Sequence, residues 1–240
     1  MLAIDRAGVF FAYPGSGTGG FLPRQRIGQD WLIRDMITAV GDWSGDGAPD
    51  IVARNPSNGD LWLYRGNGSG GFLGGTVIGT GWGGIDALLS PGDWDGDGAV
   101  DLLARQRSDG SLFLYRGNGQ GGFGARSRPG TGWNGITALA VTGDWDGDGR
   151  VDLIARDGGG YLFVYPGDGS GGFLPRRLIG QGWNVVDRIW GPGDWDGDGR
   201  PDLLATTPAG ALRLYSGDGR GGFARQGQIG SGWNGYRVVT

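Results

Sequence analysis

The pattern Y-x-G-x-G-x-G-G-F occurs five times, beginning at Tyr13, Tyr64, Tyr115, Tyr165 and Tyr215, so its copies lie 51, 51, 50 and 50 residues apart. A second signpost keeps the same step. The stretch IGTGW ends at Trp82, and its equivalents end at Trp31, Trp133, Trp183 and Trp233. A fixed period of this size, almost without insertions, means one supersecondary unit stacked repeatedly. Such a unit cannot bury its apolar face alone and needs its neighbours.

Each unit reads as four short strands. In the unit that contains Tyr165 they are Ile136–Thr142, Asp152–Arg156, Tyr161–Tyr165 and Phe173–Gly180, parted by Gly- and Asp-rich turns. Every acid is Asp and every base is Arg; Glu, Lys and His are absent. That alphabet disfavours helix, and the Val, Ile, Leu, Phe, Tyr and Trp runs suit strands. The 57 glycines and 11 prolines fall at fixed places between the runs, so they read as turn residues and not as low complexity. The middle strands, such as Leu61–Tyr64 (LWLY) and Leu112–Tyr115 (LFLY), are apolar on both faces, which suits sheets stacked against neighbours. A β-solenoid would have shorter repeats. Four strands per repeat predicts an all-β fold, a five-bladed β-propeller of four-stranded antiparallel blades. The 240 residues then form a single domain, with blades at 236–240 plus 1–31, 32–82, 83–133, 134–183 and 184–233.

Between the first and second strands stands an Asp-rich loop. It reads GDWSGDGAPD from Gly41, GDWDGDGAVD from Gly92, GDWDGDGRVD from Gly143 and GDWDGDGRPD from Gly193, which makes four copies in five units. Aligned on the tyrosines, Met1 takes the position of Leu153; aligned on the tryptophans, Thr240 takes that of Ala140. The residues equivalent to 141–152, which contain the loop, have no fifth copy. The expectation is that Tyr236–Thr240 pairs beside Leu2–Asp5, completes the first blade and closes the ring. Closure removes exposed sheet edges. An open array cut from a longer one is the alternative.

Counting from its first Asp, the loop carries oxygen side chains at positions one, three, five and nine, and position seven offers a backbone carbonyl. The candidate ligands are Asp42, Ser44, Asp46, Ala48 and Asp50; Asp93, Asp95, Asp97, Ala99 and Asp101; Asp144, Asp146, Asp148, Arg150 and Asp152; and Asp194, Asp196, Asp198, Arg200 and Asp202. Carboxylates this close repel unless a hard cation compensates them. Ca²⁺ takes many oxygens in flexible geometry, whereas Mg²⁺ demands a near-ideal octahedron. The loop opens like an EF-hand but has no Glu at position twelve and no flanking helices. A metal-free Asp/Gly hairpin is the bland alternative. Four copies favour four Ca²⁺ sites, structural in role because each pins a hairpin.

The D-x-D-x-D-G-x-x-D loop between the first two strands, repeated along the chain, resembles the FG-GAP/VCBS repeat of integrin α-subunit propellers and many secreted bacterial proteins. FGAR at Phe123–Arg126 echoes the family name. The resemblance implies calcium binding by the loop aspartates and a secreted or cell-surface bacterial location. The wording of the repeats is similar to modules of secreted actinobacterial hydrolases and to propeller lectins. Ser44, the short period and five blades in place of seven depart from the family pattern.

Three functions fit. A lectin-like module would stack sugars on Trp31, Trp82, Trp133, Trp183 and Trp233. Asn134, Asn184, Asn234, Arg54, Arg105 and Arg156 would then supply polar contacts. For each of these residues, blade packing is the competing role. A protein-interaction or spacer module is the second reading, with the partner a protein. A five-bladed glycosidase is the third; it would need two carboxylates of separated pKa. Asp35, Asp86 and Asp187, with Thr137 and Arg237 in the equivalent places, sit four residues after the crossing tryptophans, where they could ring the channel. Without His, Cys, Glu or Lys the chain is read as non-catalytic. The formal charge of −4 and the lack of a basic tract point away from nucleic acid. No apolar run is long enough to span a bilayer as a helix, no Cys is present for disulfides, and the expected state is a monomer.

Overall fold

A computed structural model of the protein describes residues 1–239. The chain forms a ring of five four-stranded antiparallel sheets, a β-propeller. Blade I contains β1 (Leu2–Asp5), β2 (Phe10–Ala12) and β3 (Gln25–Gly28). Blade II runs through β4 (Asp35–Gly41), β5 (Asp50–Arg54), β6 (Leu61–Tyr64) and β7 (Thr76–Gly79). Blade III comprises β8 (Ile85–Gly92), β9 (Asp101–Gln106), β10 (Leu112–Gly117) and β11 (Phe123–Gly130). Blade IV follows with β12 (Ile136–Gly143), β13 (Asp152–Asp157), β14 (Leu162–Pro166) and β15 (Arg177–Gly180). Blade V has β16 (Arg188–Gly193), β17 (Asp202–Thr206), β18 (Leu212–Gly217) and β19 (Phe223–Gly230). The last strand, β20 (Tyr236–Val239), pairs antiparallel with β1 and closes the ring, with Leu2 opposite Val239 and Asp5 opposite Tyr236. Of the sequence expectations for this seam, only Thr240 lies outside the described residues.

The outermost strands differ in length for a local reason. β11 and β19 run eight residues from Phe123 and Phe223, whereas β3, β7 and β15 begin several residues after the equivalent Phe. Pro23 and Pro175 lack a ladder N–H, and Gly74-Gly75 has neither side chains to pack nor stiffness. The expected strand over Phe173–Gly180 is therefore reduced to a bridge at Phe173 and a strand from Arg177.

Each crossing between blades is a single 3₁₀ turn that starts on the recurring tryptophan. The residue before it adopts a left-handed conformation, which is why glycine stands at 81, 132, 182 and 232. Asp30 holds the same conformation at φ 64°, one of the few other types that tolerates it. The indoles are 6–8% exposed. Each wedges against the Tyr and Phe of the next blade's Gly-rich turn: Trp133, for example, lies 4.5 Å from Tyr165 and 5.5 Å from Phe173 between ring centroids.

Arginines staple the same crossings. Arg54 donates from one guanidinium nitrogen to the Trp82 and Ile85 carbonyls at 3.0 and 2.7 Å. Arg105 does so to Trp133 and Ile136, and Arg156 to Trp183 and Val186. Where the second strand has Ile4 instead, Arg237 from β20 supplies the bonds to Trp31 and Arg34. In blade V, where Thr206 stands, Arg188 donates to the Tyr236 carbonyl at 2.6 Å. Five interfaces thus receive one staple each, from either of two strands.

Replacing Trp133 by Ala deletes a core wedge and should cost about 3–5 kcal/mol. Replacing Leu178, which is 49% exposed, by Ser should change stability by less than about 0.5 kcal/mol. Urea denaturation of both variants measures the contrast, and a Trp133→Ala protein as stable as the parent would contradict the wedge.

Candidate functional site

The Asp-rich loops are organised by their ninth residue. Asp101, Asp152 and Asp202 have no exposed surface, and Asp50 is 1% exposed. One oxygen of Asp152 accepts the Trp145 amide at 2.9 Å, and the other accepts the Gly167 amide at 3.1 Å. The carboxylate therefore ties the loop to the turn that follows β14. Burial pushes Asp101, Asp152 and Asp202 up to about 6, assisted by the neighbouring loop carboxylates and opposed by the amide bonds. The first Asp of each loop folds the turn: Asp144 accepts the amides of Gly147, Asp148 and Gly149 at 2.7–2.9 Å.

Positions one, three and nine converge. Carboxylate oxygens of Asp93, Asp95 and Asp101 lie within 4.8 Å of one another, as do those of Asp144, Asp146 and Asp152, and of Asp194, Asp196 and Asp202. Each triad could hold a metal ion. In blade II the triad is Asp42, Ser44 and Asp50, and Ser44 Oγ is buried without a hydrogen-bond partner. Asp146 Oδ1 is likewise buried and unpartnered. Oxygens in that condition fit a hard cation. Position five is outside these triads. Asp46, Asp97, Asp148 and Asp198 accept the amide two residues on, which belongs to Ala48, Ala99, Arg150 or Arg200.

The loop is also a joint between blades. The Gly-rich turn of the following blade sits over it, with Gly121 donating to the Trp43 carbonyl at 3.0 Å, Gly221 to Trp145 at 3.1 Å and Gly19 to Trp195 at 3.1 Å. The loop Trp meets that turn's Phe: Trp43 and Phe123 are 5.3 Å apart, Trp94 and Phe173 5.2 Å, Trp145 and Phe223 5.3 Å, and Trp195 and Phe21 5.1 Å. Glycine is required for the approach, since a Cβ at Gly147 would stand 2.6 Å from the Gly219 carbonyl oxygen.

Clefts open between blades on the outer side of these wedges. One of about 470 Å³ separates blades IV and V, one of about 580 Å³ blades III and IV, and one of about 310 Å³ blades I and II. Trp183, Trp133 and Trp31 form part of their walls. The other expected ligand residues stand elsewhere. Asn134, Asn184 and Asn234 stand on the crossings and lie over Gly110, Gly160 and Gly210 of the second hairpin in the blade just completed. Arg54, Arg105 and Arg156 are the staples described above. Among the innermost-strand polar groups, Asp35 pairs with Arg54 at 2.6 Å and Asp86 with Arg105 at 2.7 Å. Thr137 accepts from Arg156 at 3.0 Å, and Asp187 accepts from Thr206 at 2.6 Å.

Two features escaped the sequence reading. The Asp at loop position three is met by an arginine in blades III, IV and V: Arg116 at Asp95, Arg177 at Asp146 and Arg225 at Asp196. The arginine comes from different strands, so no single register marks it. Second, Arg24, Arg126 and Arg176 lie over Phe11, Phe113 and Phe163 at 4.3–4.5 Å and donate to the hydroxyls of Tyr13, Tyr115 and Tyr165. An arginine eleven residues after the tyrosine in three units was the available signal.

The FG-GAP-like repeat matches residues 42–104, 93–155, 144–205 and 194–240. No curated protein matches the chain. Among solved structures, an Agrocybe aegerita lectin that recognises non-reducing terminal N-acetylglucosamine is 19% identical with a TM-score of 0.56, over 93% of this chain and 61% of that one. The BP39L lectin of Burkholderia pseudomallei is 13% identical at a TM-score of 0.57, over 95% and 69%. AofleA of Arthrobotrys oligospora is 13% identical at 0.52, over 94% and 67%. The chain thus spans about three fifths of the length of the Agrocybe lectin. At these identities the likeness is one of fold. The overlapping matches run from the first Asp loop to the last residue, and the chain belongs to the FG-GAP-like repeat family.

Proposed function

We propose that the protein is a non-catalytic, calcium-stabilised β-propeller that binds carbohydrate outside the cell. The observation that carries the binding role is the recurrence of open inter-blade clefts that combine aromatic walls with Arg, Gln and Tyr polar groups. Planar rings and amide or guanidinium groups side by side suit a sugar's apolar face and its hydroxyls. Three similar propellers of known structure include two named as lectins, which agrees with this reading. The carboxylates Asp35, Asp86 and Asp187 are engaged by arginine or threonine, which argues against a glycosidase pair. A protein-interaction or spacer role is favoured by one observation, the exposed Leu22, Leu73 and Leu174 at equivalent outer positions. A glycan array with and without calcium separates the two. Saccharides retained on the array support the first reading, and none retained in either condition leaves the second.

Calcium would be held by positions one, three and nine of each loop, with position five and the carbonyl at position seven to complete an oxygen shell. When bound it supplies positive charge to a buried carboxylate cluster and so secures the hairpin and the blade joint. Binding to the folded state alone stabilises it by mass action. Oxygen-only loops of this kind reach affinities suited to extracellular calcium.

The stabilisation depends on pH with a definite sign. In calcium-free protein Asp101, Asp152 and Asp202 titrate near 6, above the roughly 3.9 of an unfolded Asp. Between those values the folded chain binds more protons, so its stability falls as pH rises through 6. Calcium replaces those protons. The rise in melting temperature on adding calcium to calcium-stripped protein should be larger at pH 7.5 than at pH 5. Equal rises at both values would contradict the assignment, and no rise at either would remove it.

The four sites should also differ. Ser44 offers a neutral oxygen where the other loops offer a carboxylate, and affinity in oxygen sites follows ligand charge. Calorimetry should resolve one weaker site, and Ser44→Asp should tighten it. Four equivalent sites in the parent, or no change in the variant, would mean that loop rigidity outweighs charge.

A further inference from the structure

The five blade interfaces are alike in their wedges and staples, but one differs in how its cleft is charged. In blades I, III and IV the residue two before the recurring Tyr is Phe, and an arginine lies flat on it while donating to the Tyr hydroxyl. In blade II the same place is Trp62, and Arg34 from the crossing lies 4.7 Å over it and donates to Tyr64 at 2.8 Å. In these four blades the guanidinium is therefore spent on a ring and a hydroxyl of the protein itself.

Blade V reverses the pattern. Arg213 occupies the aromatic position, and Gln226 stands where Arg24, Arg126 and Arg176 stand. Arg213 is half-buried and lines the cleft between blades IV and V beside Tyr215 and Gln226. It joins none of the ion pairs among the described residues, and no ring lies beneath it. The cleft's second guanidinium, Arg225, is already paired with Asp196 at 2.7 Å. At about 470 Å³ against 580 Å³ for the III–IV cleft, size does not set this site apart; an unmatched positive charge does.

A guanidinium that lines a cleft without a counter-ion has room to take one there, and a carboxylate is its best planar partner. Gln181 and Gln226 flank it with amides that can both donate and accept, as hydroxyls require. Val185, 67% exposed, provides an apolar rim. We propose that the IV–V cleft is the binding site for an acidic sugar, with Arg213 holding its carboxylate and the two glutamines its hydroxyls. This rests on the carbohydrate-binding reading above and names the class of ligand and the one interface that takes it.

The test titrates the full calcium-loaded chain with D-glucuronate, D-glucose and acetate, by calorimetry. Glucuronate should bind, and glucose and acetate should each bind at least tenfold more weakly, about 1.4 kcal/mol. Arg213→Phe restores the residue type of the other blades and should fold; it should weaken glucuronate at least tenfold while the calcium-induced rise in melting temperature is kept. Arg213→Gln removes the charge without adding a ring and should do the same. Undiminished glucuronate binding in either folded variant would overturn the proposal. Acetate binding as tightly as glucuronate would also overturn it, since the cleft would then be a bare anion site. If neutral glycans bind on the array but glucuronate does not bind, the proposal falls while the carbohydrate reading stands.

Discussion

A carboxylate with almost no exposed surface sits at the ninth position of each Asp loop, and the arrangement of the blades depends on what surrounds it. Ionised and alone, such a group would be strongly unfavourable. Here one oxygen accepts one or two amides from the loop and the other accepts an amide at the end of the third strand of the blade, so it locks two separate segments at one point. The amides do not fully offset burial, since three of the four titrate near 6. In those three loops the carboxylates at positions one and three gather beside it. The cluster is thus a place where a bound cation would stabilise the folded state.

The same loop carries the contact that joins one blade to the next. Its Trp packs against the Phe of the following turn, and at the loops of Trp43, Trp145 and Trp195 that turn's glycine donates to the Trp carbonyl. The crossing Trp wedges against the Tyr and Phe of the same turn from the other side. One Gly-rich turn is therefore held between a crossing and a loop at each of these joints. Blade II lacks the loop partner, because the blade before it is made from the two chain ends. There Phe72 packs on Phe10 and Trp31, and a Cβ at Gly70 would meet nothing within 4 Å.

Much of this was legible in the sequence because it recurs. The period of the Tyr and Trp signposts, the four apolar runs and the missing fifth loop were enough for a closed five-bladed ring, with Tyr236–Val239 beside Leu2–Asp5. The clustering of positions one, three and nine also follows from a short loop between paired strands. What recurrence could not separate was packing from binding, since five equal tryptophans serve either purpose. The arginines were harder still. Their heads act through long side chains that reach neighbouring strands, so Arg54 and Arg237 perform one task from different strands. At the clefts the repeat is broken at Arg213, which stands where the other blades have Phe or Trp.

The central claim is that the Asp loops act as calcium-held joints between blades. Amide hydrogen exchange at the Gly-rich turns measures it directly. Gly19, Gly121 and Gly221 donate to the loop of the preceding blade, and Gly70 has no such loop to meet. Adding calcium to stripped protein under native conditions should slow exchange at the first three and leave Gly70 unchanged. Equal slowing at all four turns, or none at the three that are docked, would contradict the account.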